Sequence, residues 1–282
     1  MNWKKISKLA LGFLAAGIFM TGCGSDASET DSPDERIGII AKLNASEEAF
    51  NEQMKKLEES ARRKGISLAH NHIYFNGLNE MQMALDAGQI DEISTYHCVA
   101  NYMTARNPQL KILDHTNDMF DSFCCAMRTE DKALRDEFNS AIQSMKSDGT
   151  LENLVKTYIT DLTGTEDPPA VALETFDGAE TIKVGVTGDL PPLDLIRADG
   201  TPAGFNTAMI SEIGRRTGKN IELVQIDSNA RAAALTSEQI DVVFWVTVPD
   251  DENLDKNFDK SDSMDTTSPY YRDEIVHVDL KK

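Results

Sequence analysis

The chain has 282 residues and 40% apolar content, enough for two ordinary domains or one large one and too apolar for wholesale disorder. Its formal net charge of −19 repels nucleic acid and anionic lipid headgroups, which argues against DNA, RNA or peripheral membrane binding. Five histidines without metal-ligand spacing and four cysteines without a C-x-x-C pair give no metal or cofactor motif, so none is expected.

The N-terminus reads as a processing segment. "MNWKKISK" is basic, "LALGFLAAGIFM" is apolar but too short for an ordinary transmembrane helix, and "TGCGSD" follows. Residues 1–22 are therefore expected to be a signal peptide. "GSDASETDSPDE" then reads as a flexible polar tether over 23–35.

From Arg36 strands and helices alternate. "RIGIIA" is a β run. In the next segment Phe50, Met54, Leu57 and Ala61 recur on one helical face, with Ser46 as N-cap and Gly65 as stop. "ISLAHNHIYF" reads as a strand, "LNEMQMALDAG" as a short helix, "IDEISTY" as a strand and "HCVANYMTARNP" as a helix stopped by Pro108. "LKILD" and "SFCCAMR" complete the strands, with Cys124 and Cys125 read as small core residues. Residues 130–163 are helical, with Leu134, Phe138, Ala141, Ile142 and Met145 on one face. Residues 164–180, rich in acid, Pro and Gly and without helical period, read as a linker.

The alternation resumes at "TIKVGV". A helix near "GFNTAMISEIGRRTG" places Phe205, Ala208, Met209 and Ile213 on one side. "IELVQI" and "DVVFWVTV" are strands flanking the short helix "ARAAALTSEQ", and "SPYYRDEIVHVDL" is a last extended segment. The whole predicts an α/β protein with largely parallel sheet.

These segments resemble the amino-acid-binding family of extracellular solute-binding proteins that serve ABC importers, the type II periplasmic-binding fold. "VGVTGDLPPLDL…DGTPAGF" is similar to that family's first strand and proline turn. "LTSEQIDVVFWVT" is similar to its next helix and strand, and "SPYYRDEIVHV" to the exit from its first lobe. "LDAGQIDEISTYHCVANYM" resembles its second lobe, and "RTEDKALRDEFNSAIQSMKSDGTLENLVKTYI" its C-terminal tail. "MTGC" resembles the bacterial lipobox, which implies lipidation of Cys23 and a membrane-anchored protein on the cell surface or periplasmic side. The resemblance covers nearly all of 36–282, but in rotated order: the family's beginning starts here near Thr181. It therefore implies a circularly permuted two-lobed fold. Lobe B would be residues 36–125. Lobe A would be 126–282, comprising the tail at 130–163, the linker at 164–180 and the first-lobe segment at 181–282. Flexible chain of about 17 residues spans roughly 20–25 Å, enough to join neighbouring ends.

The resemblance also implies a function without chemistry: capture of a small polar solute, amino-acid-like or a derivative, between the lobes, and its presentation to permease subunits by a monomer. The family's arginine has no counterpart in "PDDEN". Tyr96 stands where its ammonium-binding acid would be, and Leu190 and Ser228 stand where its two aromatic clamps would be. The residue set for an ordinary free amino acid is thus absent. Candidate ligand contacts are Thr187, Asp189 and Leu190 in the turn after the first strand, and Trp245 and Thr247 at a strand end. Thr95, Tyr96 and His97 are candidates from the second lobe, as are Lys42, Asn44 and Ser46 before a helix N-terminus. Each has a plainer reading: turn chemistry for Thr187 and Asp189, core filling for Trp245, capping for Ser46. Tyr270 and Tyr271 read as hinge packing. Two other classes are open to such a chain. An enzyme needs a nucleophile–base set that no motif supplies. A sensory protein needs a separate membrane partner.

Overall fold

In the computed structural model, the structure describes residues 35–41, 51–52, 55–56, 59, 71–113, 119–250, 256–257 and 259–281. The segments read as signal peptide and tether, and most of the helix expected after Ser46, lie outside the described residues. The elements in chain order are β1 (Arg36–Ile40), β2 (Asn71–Phe75), α1 (Leu78–Asp86), β3 (Glu92–Tyr96), α2 (His97–Arg106) and β4 (Leu110–Ile112). Then come β5 (Phe120–Arg128), α3 (Lys132–Ser147), α4 (Thr150–Val155) running into a π-helical turn, β6 (Thr181–Val186), β7 (Asp189–Leu190), β8 (Asp194–Ile196) and β9 (Pro202–Ala203). The last elements are α5 (Phe205–Thr217), β10 (Asn220–Gln225), α6 (Arg231–Thr236), β11 (Val242–Pro249), β12 (Met264–Thr266) and β13 (Tyr271–Leu280). The α/β alternation expected from the periodicity is what the structure contains, but the sheet is mixed rather than largely parallel, because β5 and β13 run antiparallel to their neighbours.

The main sheet runs β10-β6-β11-β5-β13-β3-β1-β2, and it is two half-sheets of one design. In the first, β10, β6 and β11 are parallel, and β5 and the start of β13 follow antiparallel to their neighbours. In the second, β2, β1 and β3 are parallel, and the rest of β13 and then β4 follow antiparallel. Each half-sheet with its helices is a lobe. β13 belongs to both: Tyr271–Glu274 pair with β5, and Ile275–Leu280 pair with β3 and β4. With the β4–β5 connection it makes a second covalent passage between the lobes, although nothing in the period-2 pattern of this segment tells one partner strand from another. Its register also places Leu280, opposite Leu110 and two residues past the Val278–Ile93 pair, at the same strand end as Arg36. Only β3 separates them, a gap of about 10 Å at two strand spacings.

The two lobes repeat a local device. Gln89-Ile90-Asp91 and Gln239-Ile240-Asp241 each follow a left-handed residue, Gly88 at φ 66° and Glu238 at φ 60°. Asp91 accepts the Arg36 N–H and Asp241 accepts the Lys183 N–H, both at 2.9 Å, so each carboxylate ties the turn to the first strand of its half-sheet. Arg36 and Arg128 pair with the same two acids, at 2.8 and 3.2 Å.

The core follows the predicted helix faces: Phe138, Ala141, Ile142 and Met145 of α3 and Phe205, Ala208, Met209 and Ile213 of α5 are buried. Cys98, Cys124 and Cys125 are buried free thiols. Burial pushes the Cys124 thiol up to about 12, so it packs as an inert apolar group. The segment 164–180, read as a linker, is pinned. Ala170 bridges Ala203, Val171 N–H donates to the Pro202 carbonyl, and the Asn220 side chain holds the Phe176 backbone at both N and O.

Gly204 opens α5 at φ 99°, where an added Cβ would lie 2.8 Å from the Pro192 and Leu193 carbonyl oxygens. Gly200 is also left-handed, at φ 82°, but faces open space. Gly204→Ala is therefore expected to cost about 2–3 kcal/mol in urea unfolding and Gly200→Ala about 1. Equal costs would show that the backbone contact at Gly204 relaxes freely.

Candidate functional site

The turn after β6 carries three of the predicted contacts. Thr187 N–H and Oγ1–H both donate to Asp194 Oδ2, at 2.9 and 3.2 Å, which holds the turn closed over a buried carboxylate. Burial raises the Asp194 carboxyl, offset by the Gly188 and Thr187 N–H groups, and its Oδ1 has no partner among the described residues. Leu190 points into the core. Asp189, between them, reaches the other lobe: its Oδ2 accepts the Leu78 N–H at 3.1 Å, at the start of α1. A Cβ on Gly77 would fall 2.0 Å from that oxygen, so the carboxylate rests directly on the glycine backbone.

A second group forms the inner seam. Trp245 occupies the β11 register shift between Phe244 and Val246; such a bulge re-aims a side chain. It is 2% exposed, and its Nε1 has no partner among the described residues. Tyr96, on β3 of the other lobe, meets it edge-on at 6.0 Å and meets Phe123 at 4.7 Å. The Tyr96 hydroxyl donates to Asp121 Oδ2 at 2.9 Å. Burial first, and Asp121 second, push this phenol far above its ordinary value, so it acts as a neutral donor. Thr247 donates through N–H and Oγ1 to Asp259 Oδ2 at 3.0 and 3.2 Å, and Thr95 is buried in β3. His97 starts α2 on the exposed surface, 3.5 Å from Asn101. Lys42, Asn44, Ser46 and Cys23 lie outside the described residues.

Arg231 was not among the candidates. It is 1% exposed, its guanidinium sits 5.0 Å from the Trp245 ring centre, and it donates to the Ser228, Phe244 and Trp245 carbonyls and to Ser228 Oγ. Among the described residues no carboxylate lies within ion-pairing distance of it; Asp259 and Asp194 act on it only from farther away. Desolvation is correspondingly the largest influence on this group and lowers its pKa. Its sequence signal was one cation on an otherwise apolar helix, "ARAAAL". Ser228 Oγ in turn donates to the Ala41 carbonyl of the other lobe at 2.7 Å.

Between the lobes, outside this seam, lies a cavity of about 440 Å³. Its walls are α1 and α2 on one side and the 188–196 turn on the other, with Asn79, Gln82, Tyr102, Arg106, Asp189 and Ile196 among its lining. That volume falls in the range of small-molecule sites.

With this geometry in view, residues 182–279 match the family model "Bacterial extracellular solute-binding proteins, family 3". That is a family of binding proteins and not of enzymes. Over 101 residues the chain is 30% identical to a "Probable histidine-binding protein" of Campylobacter jejuni, a match spanning 36% of this chain and 36% of that relative. Among solved structures, a ligand-binding component of an ABC-type import system from Staphylococcus aureus with zinc bound aligns at 11% identity and TM-score 0.42, over 88% of this chain and 66% of that one. A nutrient-binding protein from Burkholderia cenocepacia bound to methionine aligns at 12% identity and TM-score 0.40, over 87% and 84%. No helix among the described residues is long and apolar enough to cross a membrane.

The Asp189 carboxyl is pushed up to about 6, by burial first and by Asp194 second. A raised folded-state value means that protonation favours the fold. Its contribution is present below the ordinary aspartate range, about 3.9, and is lost as pH rises through about 6. Asp189→Asn should therefore flatten the melting temperature between pH 4 and 6, removing a slope of about 2–4 °C. An unaltered slope in the variant would place the titration elsewhere.

Proposed function

We propose that this chain is the lipid-anchored solute-binding component of an ABC importer, closing two lobes around a small polar solute, amino-acid-like or a derivative. One observation carries the reading: two half-sheets of the same design are joined by β5 and β13, and buried polar groups of both meet at a seam with a cavity beside it. Proteins that close by hinge motion bind ligand in such a place. The match of residues 182–279 to a solute-binding family supports it, as does the histidine-binding relative over its shorter span. Lipidation at Cys23 and permease partners belong to the same reading, supported by the order of basic, apolar, small and cysteine residues in the first 23.

The lobes follow one another in rotated order. The support is positional: Leu280 and Arg36 end at one side of the sheet with a single strand between them, and the 164–180 segment carries the chain from the helical tail to β6. A reordered chain beginning at Thr181, with Leu280 joined to Arg36 by a short loop and ending at Thr163, should fold.

The purified protein, screened by thermal shift against free amino acids, short peptides, polyamines and small carboxylates, should show one solute class raising the melting temperature by several degrees. X-ray scattering of the same complex should show a smaller radius of gyration. A flat response across all four classes would overturn the reading.

A further inference from the structure

The inner seam is filled by Trp245, Tyr96 and Phe123 packed ring against ring, whereas the cavity beside it is open and walled by both lobes. Its charges are unequal in their engagement. Arg106 is already satisfied: it stacks 3.3 Å from the Tyr102 ring centre, donates to the Glu166 carbonyl, and lies 3.4 Å from Asp167, which also accepts the Tyr102 hydroxyl at 2.9 Å. Asp189 is hydrogen-bonded by the Leu78 N–H, the Thr187 hydroxyl and its own N–H, but no cation pairs with it among the described residues. Asp194 stands near it on β8, and Arg106 lines the same cavity from α2. A half-buried carboxylate beside a second acid and without a cation favours a positively charged guest. Asn79 and Gln82 on α1 offer amide donors and acceptors, and Met103, Leu195 and Ile196 offer apolar surface.

We infer that this cavity is a binding site for a small primary amine with a part-apolar body, its ammonium seated on Asp189 and its polar groups on Asn79 and Gln82. The inference rests on the solute-binding reading and names the solute class. The net charge of −19 draws cations toward the protein. Because Asp189 sits on one lobe and the amides on the other, such a guest would bind the closed form better than the open one. The 166–171 segment ties the two lobes beside the site: Asp167 and Glu166 accept from the lining residues Tyr102 and Arg106 of α2, while Pro168 accepts from Arg197, and Val171 N–H donates to the Pro202 carbonyl.

The test is calorimetric titration of the full soluble chain with putrescine, agmatine and L-lysine, and with succinate and glucose as amine-free probes. At least one amine should bind at pH 7.5 with sub-millimolar Kd, and Asp189→Asn should weaken it tenfold or more. Gln82→Ala, on the opposite wall, should weaken it several-fold. Affinity should also fall, by up to tenfold per unit, as pH drops below about 6, the value to which the Asp189 carboxyl is raised, a dependence that a purely structural aspartate would not produce. Circular dichroism checks that both variants are folded. No amine binding at 1 mM, or binding indifferent to Asp189→Asn, overturns the inference. If succinate or glucose instead binds and shrinks the scattering radius, the solute-binding reading stands and the amine assignment falls.

Discussion

Everything in this molecule hangs on two antiparallel strands at the junction of the half-sheets, β5 at the edge of one and β13 shared by both. β5 leaves β4 in one lobe and pairs along its length in the other, while β13 pairs with β5 and then, without a break, with β3 and β4. A strand exchanging main-chain hydrogen bonds with both lobes resists sliding and twisting while leaving bending possible, because the bend concentrates at the Glu274–Ile275 changeover. Both crossing strands carry acids there. Asp121 receives the Tyr96 hydroxyl, and Asp273 receives the Cys98 N–H at the start of α2. The changeover in β13 and the seam are therefore one region.

The seam is costly to hold together. Arg231 is a buried cation supplied mainly with carbonyl oxygens, Asp194 keeps one oxygen unpartnered among the described residues, and the Trp245 N–H does likewise. Buried polar groups left partly satisfied each cost on the order of 1–3 kcal/mol. In a core this would be a flaw; under the proposed closure it would set the balance between states, since water would satisfy the same groups if the lobes part. Ser228, linked to Arg231 on one side and to Ala41 of the other lobe on the other, connects that buried charge to the other lobe.

Much of the fold was legible in the sequence because helix and strand periods were clean. The apolar faces of α3 and α5, the stop of α2 before Pro108, and the strand character of "DVVFWVTV" all follow from residues a few positions apart. What escaped was long-range. The double membership of β13 depends on which strands lie beside it, and nothing local in "YRDEIVHVDL" marks the changeover. The linker reading of 164–180 erred toward freedom because its anchors, Asn220, Arg197 and Arg106, lie at least 29 residues away in every case. At the site, Thr187 turned out to be occupied by Asp194, whereas Asp189 of the same turn reaches across to α1. Arg231 escaped because a cation in an alanine-rich helix ordinarily faces water. The Gln-Ile-Asp pair was visible as two similar phrases, but its meaning, a carboxylate tying each turn to its first strand, required both half-sheets.

The proposed function makes β5 and β13 a hinge whose closure a solute controls. It is tested most directly by the distance between spin labels at Met83 of α1 and Asp199 beyond β8, two exposed positions on opposite sides of the cavity. The free protein should show a broad or two-peaked distribution that collapses onto its shortest component when a stabilising solute is added. A single narrow distance, unchanged by a solute that raises the melting temperature, would contradict it.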